Sequence, residues 1–155
     1  MRIYLDCCCY NRPFDDQSQN RIHDESEAIL SIMKRCREDS GYTILGSTVL
    51  NMELDKIADT AKKANVTSLA KIIRETIVYT TEIRERAVEL QKLESIRKMD
   101  SLHLASAEKG HADVFLSTDD KLLKACQRIQ NILKVKVKNP IYYLAEVNEH
   151  DGCES

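Results

Sequence analysis

Four acidic residues stand where the ends of predicted strands and the starts of predicted helices meet. Asp6 follows the apolar segment IYL, and Asp119 follows the segment VFLST. Glu53 lies one to two turns into the helix predicted after the segment YTIL, and Asp100 lies near the start of a further helix. Because sites in open parallel sheets form beyond the carboxyl ends of the strands, we expect these acids to share one edge.

Carboxylates at one edge favour a particular chemistry. Packed together they repel one another and raise one another's pKa. Hard divalent cations such as Mg²⁺ or Mn²⁺ relieve that repulsion, since they prefer oxygen ligands. Such an ion polarises a phosphoryl group, lowers the pKa of an attacking water and neutralises a leaving oxygen. The four acids therefore predict a metal site suited to phosphate chemistry.

Asp100 is the most informative of the four. The helix around it, RKMDSLHLASAEKG, is apolar on nearly all sides and should be largely buried. A buried, unpaired carboxylate costs several kcal/mol, whereas the dipole of a helix N-terminus returns only about 0.3–1 kcal/mol. Asp100 therefore needs a salt-bridge partner, or a cation shared with other acids.

Each acid also has a structural explanation of its own. Asp6 could cap a turn, Glu53 could be a solvated helix residue, and Asp100 could be an ordinary carboxylate in a first helical turn. Asp119 could be the N-cap of a helix, since STDDKLL is a good cap sequence. Their predicted convergence on one edge favours the metal site over these separate explanations.

Strands and helices alternate along the chain. Strands are predicted over 2–5, 42–47 and 112–118, residues 76–82 are a strand or the lead into a helix, and 133–147 are a last strand and tail. Helices are predicted over 20–38, 47–59, 61–75, 82–95, 97–110 and 119–130. This order predicts an α/β domain over residues 1–147 with a mostly parallel sheet, followed by a disordered tail over 148–155.

Composition narrows the class of protein. A chain of 155 residues with 43% hydrophobic content fits one compact domain. It has no run of about 20 apolar residues that could span a membrane, and residues 1–6 look like core rather than a signal peptide, so we expect a cytoplasmic protein. The net charge of −2 argues against binding nucleic acid through bulk positive charge. The six cysteines form no CxxC pair, which favours reduced, mostly buried thiols.

Several segments together resemble the PIN-domain family, of the type found in VapC-like toxins of toxin–antitoxin pairs. The first is YLDCCCYNRPFDDQ, and the second is STVLNMELDKI, with a glutamate on a helix. The strongest is KMDSLHLASAEKGHADVFLSTDDKLL, which is similar to the family's D-x-x-H-h-A-x-A helix followed by a strand and T-x-D. VKNPIYYL also resembles a frequent family ending. The resemblance thus extends over nearly the whole chain.

The resemblance implies a fold and an activity. The fold would be a PIN-like three-layer sandwich, with a mostly parallel central sheet flanked by helices. The activity would be that of an endoribonuclease that hydrolyses RNA phosphodiester bonds with Mg²⁺ or Mn²⁺. Asp6, Glu53, Asp100 and Asp119 match the family's acids and would be the metal ligands and catalytic residues. The partners would be RNA, a small antitoxin protein and, in a homodimer, a second copy of the chain.

Residues near the four acids are open to more than one interpretation. Cys7-Cys8-Cys9 depart from the family, in which a small polar residue often follows the first acid, and we interpret them as small apolar packing residues. Asn11 and Arg12 would lie on a loop above the sheet edge, where Arg12 could bind a substrate phosphate or pair with Asp15 or Asp16. His103 could be a packing residue or could support Asp100. Asp120 is an outer support or an incidental neighbour.

Two other classes of function have to be weighed. A PIN-like binding module without catalysis would keep the same fold and acids. A phosphatase of the haloacid dehalogenase type also places an acid after the first strand, but it requires an aspartate two residues later, where this chain has Cys8. A receiver domain would require a lysine after a late strand, for which Lys121 is the one loose candidate.

Overall fold

A five-stranded sheet organises the chain. The computed structural model describes the backbone of residues 1–154 and the side chains of residues 1–150. The strands are β1 (Arg2–Leu5), β2 (Thr43–Ser47), β3 (Glu75–Ile77), β4 (Val114–Leu116) and β5 (Lys136–Lys138). Their order is β3-β2-β1-β4-β5, and each neighbouring pair is parallel. All the carboxyl ends of the strands therefore meet at one edge.

Helices connect these strands. They are α1 (Cys7–Asn11), α2 (Asn20–Glu38), α3 (Thr48–Asp55), α4 (Thr60–Leu69), α5 (Thr81–Leu93), α6 (Lys98–Lys109), α7 (Asp120–Arg128) and α8 (Pro140–Glu154), with short 3₁₀ turns at Arg12–Phe14 and Ala70–Ile72. Ser47 caps α3 through a hydrogen bond that its hydroxyl accepts from the backbone N–H of Leu50. The α/β architecture is confirmed.

The two faces of the sheet carry separate hydrophobic cores. Tyr4, Leu45 and Phe115 point to one face and pack with residues of α5, α6 and α7. Their strand neighbours point to the other face and pack with residues of α1, α2, α3 and α8. The alternation follows from the period of two in a strand. It produces the three-layer sandwich that the sequence predicted.

Several segments differ from the sequence predictions. The helix predicted over 61–75 ends at Leu69, and a 3₁₀ turn and the start of β3 follow it. Residues 7–11 form the short helix α1 rather than a loop. Residues 140–147, predicted as strand and tail, belong to α8, which also includes residues 148–150 of the predicted disordered tail. Asn139 accepts the backbone N–H of Ile141, and Pro140 stands at the first position, where its missing N–H costs nothing. Ser155 lies outside the described residues.

Among the helices of the described chain, none combines the length and the apolar character required to cross a membrane.

Candidate active site

The four acids predicted from the sequence line one hollow at the carboxyl edge of the sheet. Asp6 follows β1, Glu53 lies on α3 after β2, Asp100 lies in the first turn of α6, and Asp119 precedes α7 after β4. The strands β2, β1 and β4 are neighbours, so these segments end side by side. The hollow has a volume of about 300 Å³ and is lined by Asp6, Cys8, Glu53, Arg97, Met99, Asp100 and Asp119.

Asp6 lies almost completely buried at the start of α1. Its Oδ1 accepts a hydrogen bond of 2.8 Å from the backbone N–H of Cys7, and its Oδ2 accepts one of 2.9 Å from the hydroxyl of Ser117. Burial raises the pKa of Asp6, although nearby His103 and the two hydrogen bonds oppose that rise. The carboxylate thus caps a helix and faces the hollow at the same time.

Glu53 is held by a histidine. Nε2 of His103 lies 2.8 Å from Oε1 of Glu53. Burial would raise the pKa of Glu53, but hydrogen bonds from His103 and Cys7 and the positive charges nearby outweigh it, so the pKa is lowered. Burial alone would lower the pKa of His103. The hydrogen bond to Glu53 and the negative charge of Asp6 have the larger effect and raise the pKa of His103. Both shifts favour a charge-assisted hydrogen bond between the two side chains.

A chain of buried hydrogen bonds extends behind His103. The hydroxyl of Tyr4 lies 2.6 Å from Nδ1 of His103 and 2.6 Å from Oγ of Ser47. With neutral His103, a consistent assignment has Ser47 donating to Tyr4, Tyr4 donating to Nδ1, and Nε2–H donating to Glu53. All three residues behind Glu53 are fully buried. The sequence analysis left His103 as a packing residue or as support for Asp100, and the structure places it instead against Glu53.

Asp100 and Asp119 share one arginine. Nε of Arg97 donates to Oδ2 of Asp100 at 3.1 Å, and Nη2 donates to Oδ2 of Asp119 at 2.6 Å. Burial raises the pKa of Asp100, the charge of Asp6 adds to the rise, and Arg97 opposes it. Arg97 thus provides part of the positive charge that the buried carboxylate requires.

Both oxygens of Asp119 are used by the protein. Its Oδ1 accepts hydrogen bonds from the backbone N–H groups of Lys121 and Leu122 at 3.0 and 3.2 Å, so it is the N-cap of α7, as the cap sequence indicated. Its Oδ2 bonds to Arg97. The cap and a place in the hollow are compatible, because they use different oxygens.

The acids line one hollow without forming a set of coordinating ligands. Within the described part of the chain, no group of three or more His, Cys, Asp or Glu side chains is arranged to hold a metal ion. The contacts of the acids explain this, since Glu53 turns to His103 while Asp100 and Asp119 turn to Arg97. Binding a metal would require Asp100 and Asp119 to give up their contacts with Arg97.

The three adjacent cysteines have different environments. Cys7 and Cys9 are buried in one core, as the sequence predicted, whereas Cys8 is partly exposed and lines the hollow. Sγ of Cys8 lies 3.5 Å from Oδ2 of Asp6 and accepts the backbone N–H of Thr118 at 3.4 Å. Cys8 therefore contributes to the site. None of the five described cysteines is in a disulfide, and Cys153 lies outside the described side chains.

Asn11 and Arg12 lie in α1 and the 3₁₀ turn that follows it, not on the predicted loop. The amide of Asn11 donates to the backbone carbonyl of Cys7, within its own helix. Arg12 donates to the hydroxyl of Thr118 at 2.9 Å, and its Nε lies 3.2 Å from Oε1 of the buried Glu25 without hydrogen-bond alignment. Neither Asn11 nor Arg12 is among the described residues that line the hollow.

Asp120 faces away from the hollow. Its two oxygens accept hydrogen bonds from Nη1 and Nη2 of Arg21, both at 2.7 Å. This bidentate pair lowers the pKa of Asp120 and links α7 to α2. The interpretation of Asp120 as an incidental neighbour of Asp119 fits this position.

The residues that hold the acids in place were not predicted from the sequence. Arg97 stands three residues before Asp100, a spacing at which helical side chains meet, and Ser117 stands two residues before Asp119. In the sequence, Tyr4 looks like another apolar residue of the first strand. Spacing offered a signal for Arg97 and Ser117, whereas the role of Tyr4 depends on packing across the sheet.

Comparison of the fold with solved structures identifies similar proteins. One is VapBC2 from Rickettsia felis, whose crystal structure shows it bound to a DNA fragment from its promoter. The match covers 90% of this chain and 98% of the other, with a TM-score of 0.61 and 14% sequence identity. The sequence itself matches no family model and no curated protein.

The class defined by the fold is therefore that of the PIN-like α/β sandwiches. The resemblance to VapC-like proteins, stated from sequence motifs, holds for the three-dimensional fold. A sequence identity of 14% does not establish the activity, substrate or partners of this chain, which are proposed below.

Proposed function

We propose that the protein is an endoribonuclease of the VapC-like PIN type, which hydrolyses RNA phosphodiester bonds with Mg²⁺ or Mn²⁺. The observation that carries the proposal is the convergence of Asp6, Glu53, Asp100 and Asp119 on one hollow. These acids come from four separate segments of the chain, and a hard divalent cation is a ligand that prefers carboxylate oxygens. The fold that this chain shares with VapBC2 agrees with the VapC-like resemblance of its motifs, on which the proposal also rests.

The residues of the hollow fit a divalent ion in their donor chemistry. They offer carboxylate oxygens, and the raised pKa values of Asp6 and Asp100 reflect burial together with negative charge nearby. Asp6, Glu53, Asp100 and Asp119 would hold the ion. When bound, Mg²⁺ or Mn²⁺ supplies the Lewis acidity that polarises a phosphodiester and activates a water.

The chain itself contributes orientation. Ser117 and the N–H of Cys7 fix both oxygens of Asp6, so this carboxylate needs no rearrangement to face the hollow. His103 fixes Glu53 and keeps it ionised at neutral pH through the lowered pKa. Fixed acids lower the cost of assembling a reactive site. Substrate binding by Asn11 and Arg12 stays a prediction, since their present contacts are with the protein.

A binding module without catalysis is the second candidate. Its favouring observation is that the described acids do not form a coordinating trio. In that case the protein would bind RNA or a protein partner with the same fold and would not cleave. The phosphatase alternative has Cys8 where its second aspartate is required, and Cys8 instead bonds to the Thr118 backbone.

The same comparison supports a proposal about partners. VapBC2 is a complex, and its DNA-bound structure includes promoter DNA. We propose that a small antitoxin protein covers the acidic hollow of this chain, that the chain forms a homodimer, and that it acts in the cytoplasm. The identity of the neighbouring open reading frame would test the antitoxin directly.

Cleavage of RNA tests the activity. We expect the wild-type protein to cut total RNA in Mn²⁺ and to stop in EDTA, and Asp6→Asn to lose at least about 100-fold in rate, because a metal contributes several kcal/mol to the transition state. Asp120→Asn is the matched control, since Asp120 faces Arg21 and should leave the rate unchanged. Equal cleavage in EDTA would refute the metal mechanism, and binding of RNA without cleavage would favour the binding module.

A further inference from the structure

Arg97 occupies an unusual position at the acidic hollow. It is the residue directly before α6, and its guanidinium bridges Asp100 and Asp119 through contacts of 3.1 and 2.6 Å. These acids come from segments on either side of β4. A single positive charge is thus shared by two of the four carboxylates.

The bridge is easy to displace. The Arg97 side chain is 72% exposed, whereas those of Asp100 and Asp119 are 13% and 27% exposed. Solvent screens the exposed guanidinium and weakens its attraction for the acids, whereas the buried Asp100 carboxylate still requires a positive partner, which a divalent ion would supply. Arg97 can therefore leave the carboxylates by rotating into solvent, while the two acids stay where the fold puts them.

Arg97 and a divalent ion cannot hold these acids together in the same way. Oδ2 of Asp100 and Oδ2 of Asp119 are both hydrogen-bonded to the guanidinium, and Oδ1 of Asp119 already caps α7. A cation that takes Oδ2 of Asp119 must remove Arg97 from it, since the two positive charges repel one another at this distance.

The displaced guanidinium stays at the mouth of the site. Its backbone is fixed at the start of α6, and a small second cavity beside the hollow is lined by Ser95, Ile96, Arg97, Asp100, Asp119, Lys121 and Leu122. Arginine binds phosphate through paired N–H groups, and a phosphodiester is the anion that the proposed activity brings to this mouth.

We infer that Arg97 is a resident counter-ion of Asp100 and Asp119 that a divalent ion displaces, and that the displaced side chain then binds a phosphate of the RNA. The inference deepens the proposed function and rests on it. On this inference, the Arg97 side chain weakens the binding of metal and strengthens the binding of substrate. A purely structural arginine would show neither.

The test compares Arg97→Ala and Arg97→Lys with wild type and with Arg128→Ala. Arg128 is a matched control, because it is an exposed arginine paired with Glu94. Calorimetry with Mn²⁺ alone measures metal affinity, and RNA affinity is measured in Ca²⁺, with gels to confirm that the RNA stays intact. We expect Arg97→Ala to bind Mn²⁺ roughly three- to tenfold more tightly and RNA roughly three- to tenfold more weakly than wild type. Arg97→Lys should lie between, since a lysine lacks the fork that spans two carboxylates.

Thermal unfolding supplies a readout that does not involve RNA. In EDTA, Arg97→Ala should melt below wild type, because Asp100 and Asp119 lose their counter-ion, and Mn²⁺ should raise its Tm by more than it raises the wild-type Tm. Arg128→Ala should show the wild-type increment.

The outcomes separate the two proposals. If wild type and Arg97→Ala bind Mn²⁺ equally, the counter-ion role is overturned while the nuclease proposal stands. If neither protein binds Mn²⁺, the metal site and the counter-ion role are both overturned. If Arg97→Ala gains metal affinity but keeps wild-type RNA affinity, the phosphate role alone is overturned.

Discussion

The two halves of the acidic hollow are built differently. Asp6 and Glu53, the inner pair, are held by Ser117, a backbone N–H and His103, all of which are buried in the fold. Asp100 and Asp119, the outer pair, are held by one exposed arginine.

The partners of the inner pair orient its carboxylates, whereas the partner of the outer pair supplies positive charge. The partners of the inner pair are fixed by core packing, and Tyr4 behind His103 stacks on Phe115 with ring centroids 5.3 Å apart. They hold the carboxylates in place whether or not a cation is present. The partner of the outer pair supplies charge and can be exchanged for another cation. A site with one fixed half and one exchangeable half can bind an ion without remodelling its core.

Loss of His103 should have the largest effect on this contrast. His103→Ala removes a fully buried side chain and leaves the Tyr4 hydroxyl with one partner fewer, so we expect the free energy of unfolding to fall by about 2–4 kcal/mol. Mn²⁺ affinity should fall about 10- to 100-fold, because Glu53 loses the group that orients it. Chemical denaturation and calorimetry measure the two quantities.

His103→Gln provides the control, since an amide can donate to Glu53 in place of the imidazole. It should recover part of the metal affinity. An equal loss of stability in Arg97→Ala would show that the two halves are not built differently after all.

The pH dependence should also report on the inner pair. The pKa of His103 is raised above its ordinary value of 6.5, so its stabilising contribution is complete below pH 6.5 and is lost as the pH rises through the folded value. The raised pKa values of Asp6 and Asp100 act in the same direction, because the folded protein binds those protons more tightly than the unfolded chain. Glu53, with a lowered pKa, contributes stability above 4.5 that is lost in acid.

We therefore expect the Tm in EDTA to be higher near pH 5.5 than near pH 8. Saturating Mn²⁺ should reduce or reverse that slope, since the ion binds the deprotonated carboxylates. His103→Gln should have a shallower slope in EDTA, because it removes the group whose pKa is raised above 6.5. A Tm in EDTA that rises from pH 5.5 to pH 8 would contradict the assignment of a raised pKa to His103.

The sequence predicted the acids better than it predicted their partners. Asp6 and Asp119 each follow a strand. Because parallel strands end at the same edge of a sheet, the sequence could predict that these two acids lie close together. The three-residue spacing pairs Arg97 with Asp100, but the contact of Arg97 with Asp119 joins residues 22 positions apart and depends on the tertiary fold. The Tyr4–His103 contact joins residues 99 positions apart and depends on how α6 packs on the sheet.

Two segments show a further limit of local pattern. The strand predicted from the alternation in KVKVK was extended into NPIYYL. Asn139 and Pro140 are, however, typical of a helix start, and α8 begins there. The run CCCYN has no helical periodicity to detect over five residues, and α1 forms because Asp6 supplies its cap and the core buries Cys9 and Tyr10. Tertiary contacts decide such short elements.

Asp120→Asn should have the smallest effect and sharpens the comparison. Asp120 and Asp119 are adjacent carboxylates, and each bonds to an exposed arginine, Arg21 in one case and Arg97 in the other. Only Asp119 also faces the hollow. The exposed Arg21 pair is screened by solvent, so its loss should cost less than about 1 kcal/mol of unfolding free energy and leave Mn²⁺ affinity unchanged.

Asp119→Asn, in contrast, should keep the cap of α7 through its remaining side-chain oxygen and still lose Mn²⁺ affinity. Two neighbouring substitutions of the same kind would then differ in metal binding and agree in stability. Calorimetry with Mn²⁺ and denaturation in EDTA check both. If the two variants lose Mn²⁺ affinity equally, that affinity depends on the total negative charge of the region. A specific role of the carboxylates that line the hollow would then be contradicted.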